Sequence, residues 1–329
     1  MMSFSSRTFC KTLTLSIATL MGLAAASNLT GAQTLSAPYA SDYSFGFNGN
    51  IASVPGNYGG LIFSQSDPNT LLLMGGANGG GGALYSVPIT RGVGNHITGF
   101  GSAVLFSTAP NNDGGVVYAP NGDLLFTAFP SNEIGQLKPG SASPDKTVFL
   151  PGVTSSVGTL QYVPAGFSNA GQLKILSYSG GGWYDATLTA DGSGTYDIAT
   201  SDTGVNSANG PEGAIYVHSG NPDFAVNSIL VSEYGAGRVS AYQADASGNP
   251  LVGTRQDFIT GLNGAEGGAI DPVTGDFLFS TFGGGNKVVV VQGFTNQLAA
   301  TPEPGSLALL VGAGLSGGVF AFRRRRNRK

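Results

Sequence analysis

The segment from Gly114 to Gly140 reads GGVVYAPNGDLLFTAFPSNEIGQLKPG, and its pattern decides the fold of the chain. A glycine-led apolar strand is followed by an Asn-Gly turn, a strongly apolar second strand, another turn and a third strand. The same pattern recurs between Ser41 and Thr295, where no 3.6-residue apolar stripe indicates an amphipathic helix. The sequence therefore predicts short antiparallel strands joined by tight turns.

Five copies of this pattern follow one another along the chain. The separations between successive first strands are 55, 43, 55 and 55 residues, so the period is near 50. The five first strands begin at Gly60, Gly115, Gly158, Gly213 and Gly268. Predicted second strands follow in each copy, at Thr70–Met74, Asp123–Ala128, Gln172–Tyr178, Ser228–Glu233 and Asp276–Thr281.

Four strands in each repeat predict an all-β β-propeller of five blades. The fifth repeat lacks its fourth strand, and the unassigned strand Tyr43–Phe47 can supply it and close the ring. Closure matters because a blade cannot bury both of its faces alone. A six-bladed propeller is an alternative, because one of the four spacings is only 43 residues. A pair of β-sandwiches is the other alternative, which the regular recurrence disfavours.

The composition agrees with a β-rich fold and excludes one class of partner. Charged residues are 10% of the chain, against about 25% in typical domains, and 53 of the 329 residues are glycine. Eight of the 15 basic side chains lie near the termini, so the central part carries seven against 18 acidic ones, a formal charge near −11. Such a surface repels nucleic acid, and we predict no nucleic-acid partner.

The first 32 residues have the pattern of a secretory signal peptide. Arg7 and Lys11 precede the uncharged apolar run Thr12–Ala26. Small residues permit cleavage after Ala26 or after Ala32. The single cysteine, Cys10, would leave with this peptide, so the exported protein would have neither a disulfide nor a thiolate nucleophile.

The C-terminal residues predict a membrane segment followed by a stop signal. Residues 306–322 are 17 residues without a charge. As a helix they would be about 25 Å long, against a hydrocarbon core of roughly 30 Å. Basic residues follow at once and would stay in the cytoplasm, beginning with Arg323, Arg324, Arg325 and Arg326. The predicted order is signal peptide 1–32, propeller 33–297, linker 298–305, transmembrane helix 306–322 and basic cytoplasmic tail 323–329.

The tail resembles the PEP-CTERM sorting signal of exported bacterial proteins, because Pro302, Glu303 and Pro304 precede the apolar run and the arginines. The resemblance implies that exosortase recognises the motif and removes the tail, in bacteria that make extracellular polysaccharide. It predicts export through the inner membrane, transient anchoring, and then a cell-surface or extracellular location. A plain membrane anchor and a buried terminal helix are the alternatives.

The second and fifth repeats, Gly114–Gly140 and Glu266–Val291, resemble blades of NHL-type propellers and of the streptogramin lyase group. These motifs mark a blade rather than an activity.

Polar residues directly before the inner-strand glycines predict a site at the mouth of the channel. They are Asn112, Asp113, Asn209, Glu212, Asn263 and Glu266. Carboxylates and amides from several blades would suit Ca²⁺, which takes about 6 to 8 oxygen ligands. The resemblance to gluconolactonase-like and streptogramin-lyase-like propellers also implies a channel-mouth metal, with Asp113, Glu212 and Glu266 as its ligands by position. The alternative is that these acids cap backbone N–H groups in turns.

The sequence indicates no catalytic residue. The lyases of the resembled group rely on a histidine, whereas His96 and His218 have no evident carboxylate partner in the sequence. No GxSxG, HExxH or P-loop motif is present. We expect a non-catalytic binding or matrix module. The alternatives are a metal-dependent lactonase or lyase and a purely structural surface protein.

Aromatic residues near strand ends offer two interpretations. Trp183, Tyr184, Tyr234 and Phe282 either stack on sugar rings of a polysaccharide or pack between blades, and packing is favoured.

Replacing Pro302, Glu303 and Pro304 by alanine should block processing of the tail. A full-length, membrane-associated form should then accumulate, detected by immunoblotting of membrane and extracellular fractions. Alanine replacement of Asn296, Gln297 and Thr301 is the matched control, because it leaves the motif intact. Unchanged processing and location of the motif variant would contradict the sorting hypothesis.

Overall fold

The described part of the chain is residues 32–295 of a computed structural model, and it consists of short antiparallel strands. In chain order the strands are β1 (Thr34–Leu35), β2 (Ser44–Gly49), β3 (Leu61–Phe63), β4 (Thr70–Gly75), β5 (Ala83–Arg91), β6 (Ile97–Phe100), β7 (Val104–Thr108), β8 (Asn112–Tyr118), β9 (Leu124–Ala128), β10 (Glu133–Leu137), β11 (Lys146–Phe149), β12 (Val157–Tyr162), β13 (Leu173–Ser177), β14 (Gly182–Ala190), β15 (Tyr196–Asn206), β16 (Pro211–Val217), β17 (Ser228–Glu233), β18 (Arg238–Gln243), β19 (Gln256–Thr260), β20 (Ala265–Ile270), β21 (Phe277–Thr281) and β22 (Val288–Gln292). Short 3₁₀ helices span Tyr39–Ser41, Val93–Asn95, Tyr234–Ala236 and Val252–Thr254.

These strands form five sheets arranged around one axis. From the axis outwards, blade 1 contains β3, β4 and β5 with β6 and β7, blade 2 contains β8 to β11, and blade 3 contains β12 to β15. Blade 4 contains β16 to β19 with β1 at its edge, and blade 5 contains β20, β21, β22 and β2. The inner strands β3, β8, β12, β16 and β20 contact one another in a closed ring. The protein is a five-bladed propeller, and the six-bladed and sandwich alternatives are wrong.

The N-terminal segment closes the ring. Strand β2 pairs with β22, with Ser44 opposite Gln292 and Gly49 opposite Val288, which confirms the closing strand predicted near Tyr43–Phe47. Strand β1 pairs with β19 and adds a fifth strand to blade 4, which the sequence pattern did not predict. Two residues are too short for any periodicity to indicate a strand.

Blade 1 differs from the prediction at its outer edge. It has five strands rather than the four predicted for each repeat, and strand β7 pairs with the first half of β5. The second half of β5 pairs with β6, which was not predicted. Because β5 has nine residues, two short strands in succession share its outer edge.

Apolar side chains fill the interfaces between blades rather than one central core. The interface of blades 4 and 5, for example, buries Leu230 and Phe258 against Phe277 and Val289. Clusters of the same kind lie between the other neighbouring blades of the described ring. The second strands are therefore covered on both faces and are mainly apolar, although β13 contains the buried Lys174 and β17 ends at the buried Glu233.

Glycine allows the inner strands to approach one another at the axis. A Cβ on Gly213 would lie 2.2 Å from the carbonyl oxygen of Glu266, and one on Gly158 would lie 2.2 Å from that of Pro211. Any side chain would overlap the neighbouring blade's backbone at these distances. The glycines at positions 158 and 213 are thus a steric requirement of the five-bladed ring.

An ion pair joins the first and last blades. Arg91 donates from Nη1 and Nη2 to the two carboxylate oxygens of Asp271, at 2.6 and 2.9 Å. The guanidinium also donates to the carbonyl oxygens of Asn95 and Pro68 and to the side chain of Asn69. Because the Asp271 carboxylate is fully buried, removing Arg91 would leave an uncompensated charge inside the protein.

The predictions for the two termini lie outside the described residues. These are the signal peptide, the Pro302-Glu303-Pro304 motif, the helix 306–322 and the basic tail 323–329. Within residues 32–295, no helix has the length and apolar character needed to cross a bilayer.

Gly213→Ala should destabilise the propeller by about 3 kcal/mol, because the added Cβ overlaps backbone atoms that cannot move separately. The melting temperature should fall by roughly 6 to 12 °C, measured by circular dichroism. Gly80→Ala is the matched control, since a Cβ there has no atom within 4 Å. Equal melting temperatures for the two variants would contradict the steric role of the axial glycines.

Candidate metal centre at the channel mouth

Irregular pairing at the start of three inner strands places an acid at the channel mouth. The register shifts between Asn112 and Val116 in β8, between Pro211 and Gly213 in β16, and between Ala265 and Gly268 in β20. Asp113, Glu212 and Glu266 lie within these irregular stretches. Such bulges interrupt the alternation of side chains and re-aim a residue.

The three acids come together as the sequence predicted. One carboxylate oxygen of each lies within 4.8 Å of one oxygen of the other two. The residues come from blades 2, 4 and 5, and their exposed fractions are only 1% for Asp113, 3% for Glu212 and 1% for Glu266. We call this group the acidic triad.

Blade 3 contributes no side chain to the triad. It has Gly158 at the corresponding irregularity, where a Cβ would lie 2.8 Å from Glu212 Oε2. A larger residue at this position would therefore displace a triad carboxylate.

Burial makes the triad carboxyls difficult to ionise. It raises the pKa of Asp113 to about 8, although hydrogen bonds from Glu266, the Gly114 N–H and Asn78 oppose the rise. Burial also raises the pKa of Glu212 well above its usual value, with further contributions from the charges of Asp113 and Glu266. The pKa of Glu266 is raised by burial first and then by Asp113. Without a cation, Asp113 therefore favours its protonated form at neutral pH, and burial disfavours ionisation of the two glutamates as well.

Several oxygens at this site have no hydrogen-bond donor. Within the described part of the chain, Asp113 Oδ2, Glu212 Oε2 and Glu266 Oε2 are buried without a partner, as is Oδ1 of the neighbouring Asn112. Unpartnered buried oxygens are costly, and each one needs an explanation. A set made only of carboxylate and amide oxygens fits a hard cation such as Ca²⁺ or Mg²⁺.

Asn78 is a residue of the site that sequence reasoning missed. With its amide nitrogen directed inwards, it donates to Asp113 Oδ1 at 3.0 Å and to the carbonyl oxygen of Asn112 at 3.3 Å. It lies in the glycine-rich loop after β4. No spacing in the sequence could relate this blade 1 loop to a carboxylate of blade 2.

Two of the predicted amides are not part of the triad. Asn209 donates from Nδ2 to Oε2 of Glu233, at 3.3 Å, and this carboxylate is also paired with Arg238. Asn263 is exposed, and its Oδ1 lies close to Gly237.

Four aromatic rings border the mouth. Phe129, Tyr178, Tyr234 and Phe282 each follow directly after the second strand of blades 2, 3, 4 and 5. The centroids of successive rings are 6.1, 5.9 and 6.0 Å apart, with edge-to-face geometry, and each residue is half-buried. Burial raises the pKa of both tyrosines, and the nearby triad charges raise it further. We call these four residues the aromatic arc.

Blade 1 contributes no ring to the aromatic arc, because its second strand is followed by Gly76 rather than by an aromatic residue.

Trp183 and Tyr184 pack between blades, as the favoured interpretation predicted. Trp183 is fully buried, and its Nε1 donates to Ser207 Oγ at 3.0 Å. Tyr184 is also buried. Neither ring is available to a sugar, whereas Tyr234 and Phe282 belong to the aromatic arc.

The two histidines lie away from the triad. The expectation that His96 lacks a carboxylate partner is wrong, because its Nδ1 is 2.6 Å from Oδ2 of the buried Asp276. The two residues are 180 positions apart in the sequence, which concealed the pair. His218 packs against the ring of Phe167, and burial lowers its pKa.

Strand direction places both histidines at the opposite end of the blades. Asp276 precedes β21 and His218 follows β16, whereas the mouth lies beside the end of β21 and the start of β16. Strands of this length separate the two ends by about 15 to 20 Å.

Comparison with known proteins shows a similarity of fold. Compared with protein-family models and with curated proteins, the sequence has no match. Similar solved structures include a streptogramin B lyase, with 13% identity over 77% of this chain and 98% of that chain and a TM-score of 0.39. Another is an auxiliary nutrient binding protein from Bacteroides ovatus, with 12% identity over 78% of this chain and 76% of that chain and a TM-score of 0.43. Values this low carry no argument about what the chain binds or does.

The stability of the metal-free protein should fall as the pH rises from about 4 to about 8. The unfolded chain ionises its carboxyls near pH 4, while the folded triad still holds its protons, so the unfolded state binds fewer protons in this range. Urea unfolding in EDTA at several pH values measures the slope.

The double variant Glu212→Gln/Glu266→Gln should flatten this slope, because glutamine has no proton to lose. Asp202→Asn is the control, since Asp202 is exposed. A slope that is the same in all three proteins would contradict the assignment of raised pKa values to the triad.

Proposed function

We propose that this protein is a binding module whose channel mouth holds a Ca²⁺ ion through Asp113, Glu212 and Glu266. One observation carries the proposal: three buried carboxylates from three different blades meet with unpartnered oxygens. The geometry of the ring brings them together at the starts of three inner strands.

The energetics of the triad support a cation. Three acids this close together repel one another when ionised, and burial removes the water that would screen them. Neutral side chains of similar size would avoid this cost. A divalent ion offsets it, because the ion supplies positive charge and satisfies the free oxygens together.

The kind of ligand favours calcium. The site has only oxygen donors, and it lies where three separate strands meet, so its geometry is not that of one rigid loop. Ca²⁺ accepts irregular arrangements of oxygens, whereas Mg²⁺ demands a near-ideal octahedron. Zinc prefers nitrogen and sulfur ligands, and cysteine and histidine are not found in the triad.

The location of the histidines supports binding over catalysis. A metal-dependent lactonase or lyase acting at the same ion is the alternative, and it would need a general base within about 3 Å of the substrate proton, directly or through one water. His96 and His218 lie at the other end of their blades. Tyr178 and Tyr234 are at the mouth, but burial and the triad raise their pKa values above the ordinary range, so both hydroxyl groups hold their protons at neutral pH and cannot accept another from a substrate.

The terminal sequences support a location for this module. We propose export by the N-terminal signal peptide, transient insertion of helix 306–322 into the inner membrane, and cleavage by exosortase at the Pro302-Glu303-Pro304 signal. The propeller would then act at the cell surface or in the extracellular matrix, where polysaccharide is the expected partner. The acidic central part, with seven basic residues against 18 acidic ones, disfavours a nucleic-acid partner.

Calcium should stabilise the purified full-length protein. At a Ca²⁺ concentration 100-fold above Kd, mass action adds about 2.7 kcal/mol, which corresponds to a rise in melting temperature of roughly 5 to 10 °C. Glu212→Gln and Glu266→Gln should each abolish this rise, measured by differential scanning calorimetry.

The same calorimetric series on Asp202→Asn should show the full rise, because this exposed acid is not part of the triad. If Ca²⁺ raised the melting temperature of the Gln variants as much as that of the parent protein, the cation would bind elsewhere and the proposal would fail. Absence of any rise in the parent protein would overturn it too.

A further inference from the structure

The acidic triad and the aromatic arc occupy the same mouth. The charges of Asp113, Glu212 and Glu266 act on the hydroxyl groups of Tyr178 and Tyr234, so these rings stand next to the triad. The arc runs through four successive blades and ends at blade 1. The two tyrosines are thus the aromatic residues of the arc on which the triad charges act.

A cation at the triad would have coordination positions left for a ligand. Three carboxylates supply between three and six oxygens, while Ca²⁺ takes about 6 to 8. The buried Oδ1 of Asn112 offers one further oxygen nearby. When the carboxylates bind through single oxygens, the remaining positions belong to water or to the oxygens of a bound molecule.

The aromatic rings are not stacked face to face. Their planes meet at 86, 74 and 73°, which is edge-to-face geometry. Each of the four side chains is half-buried, so part of it is exposed at the mouth. Such a surface suits a molecule with an apolar C–H face.

The glycine-rich loop of blade 1 is exposed at its tip. A Cβ on Gly80 or on Gly81 would have no atom within 4 Å. The same loop carries Asn78, whose amide contacts Asp113. The entrance is thus bordered by polar backbone on one side and by aromatic rings on the other.

We propose that the mouth is a saccharide-binding site, in which two hydroxyl groups of one sugar ring coordinate the cation and the C–H face of that ring packs on Tyr178 or Tyr234. This inference rests on the proposed Ca²⁺ site. A saccharide has both features on one small ring, hydroxyl oxygens at one edge and an apolar face. The cation held by the triad would bind the hydroxyl oxygens, and the tyrosine ring would pack on the apolar face.

The test is a glycan array probed with the full-length protein in Ca²⁺ and in EDTA. Affinities are then measured with soluble mannan if it is among the hits. Binding should require Ca²⁺. Tyr178→Ala and Tyr234→Ala should each weaken it by about tenfold through loss of ring contact. Tyr234→Phe should retain binding, because the ring remains.

Phe149→Ala is the matched control, since Phe149 is an exposed aromatic residue on the outer strand β11, away from the mouth. It should bind saccharide as the parent protein does. Melting curves in Ca²⁺ show whether each variant is folded and holds the cation.

The outcomes separate this inference from the cation proposal. A Ca²⁺-dependent rise in melting temperature without any saccharide binding would overturn the saccharide site and leave the cation site standing. Saccharide binding that persists in EDTA, or that is unaffected by both alanine variants, would place the sugar elsewhere and overturn the inference. Binding of choline without Ca²⁺, in competition with Ca²⁺, would show that the mouth takes an organic cation and would overturn it too.

Discussion

The contact of five inner strands at one axis is the constraint on which the rest of the structure depends. At this axis the backbone of one blade touches the backbone of the next, as Gly213 touches Glu266 and Gly158 touches Pro211. A side chain at these positions would force the blades apart and open the interfaces in which the apolar side chains are buried. The glycines at the axis are therefore a consequence of how narrow a five-bladed ring is, whereas many of the others lie in turns with positive φ.

The candidate site arises where the repeat is broken. The inner strands of blades 2, 4 and 5 begin with an acid in an irregular stretch, whereas blade 3 has glycine there. The glycines leave space into which the three carboxylates converge, so the same residues that permit the ring also create the pocket of the triad. The repeated strands form the ring, and the candidate site lies where three blades carry an acid and blade 3 carries a glycine. The site is therefore set by the residues that differ between repeats, not by the fold.

Sequence reasoning succeeded where a property repeats along the chain. The second strand Ser228–Glu233 was predicted with the bounds that the structure shows, because burial between two blades makes such strands mainly apolar. Asp113, Glu212 and Glu266 could be named because each precedes a glycine of a repeat. Strand β1, Asn78 and the His96–Asp276 pair could not, because each depends on a contact between distant segments that no local pattern records.

The structure separates the groups that close the ring from those that form the mouth. The ring is closed by the pairing of β2 with β22 and by the ion pair of Arg91 with Asp271. In this ion pair the buried negative charge of Asp271 is balanced by a positive charge of the same protein. The triad has the opposite character, because none of the ion pairs found within residues 32–295 includes its carboxylates. A buried charge that is matched internally becomes costly only when its partner is removed. Buried carboxyls without an ion-pair partner favour their protonated forms, and ionising them requires a positive partner, which is the role proposed for Ca²⁺.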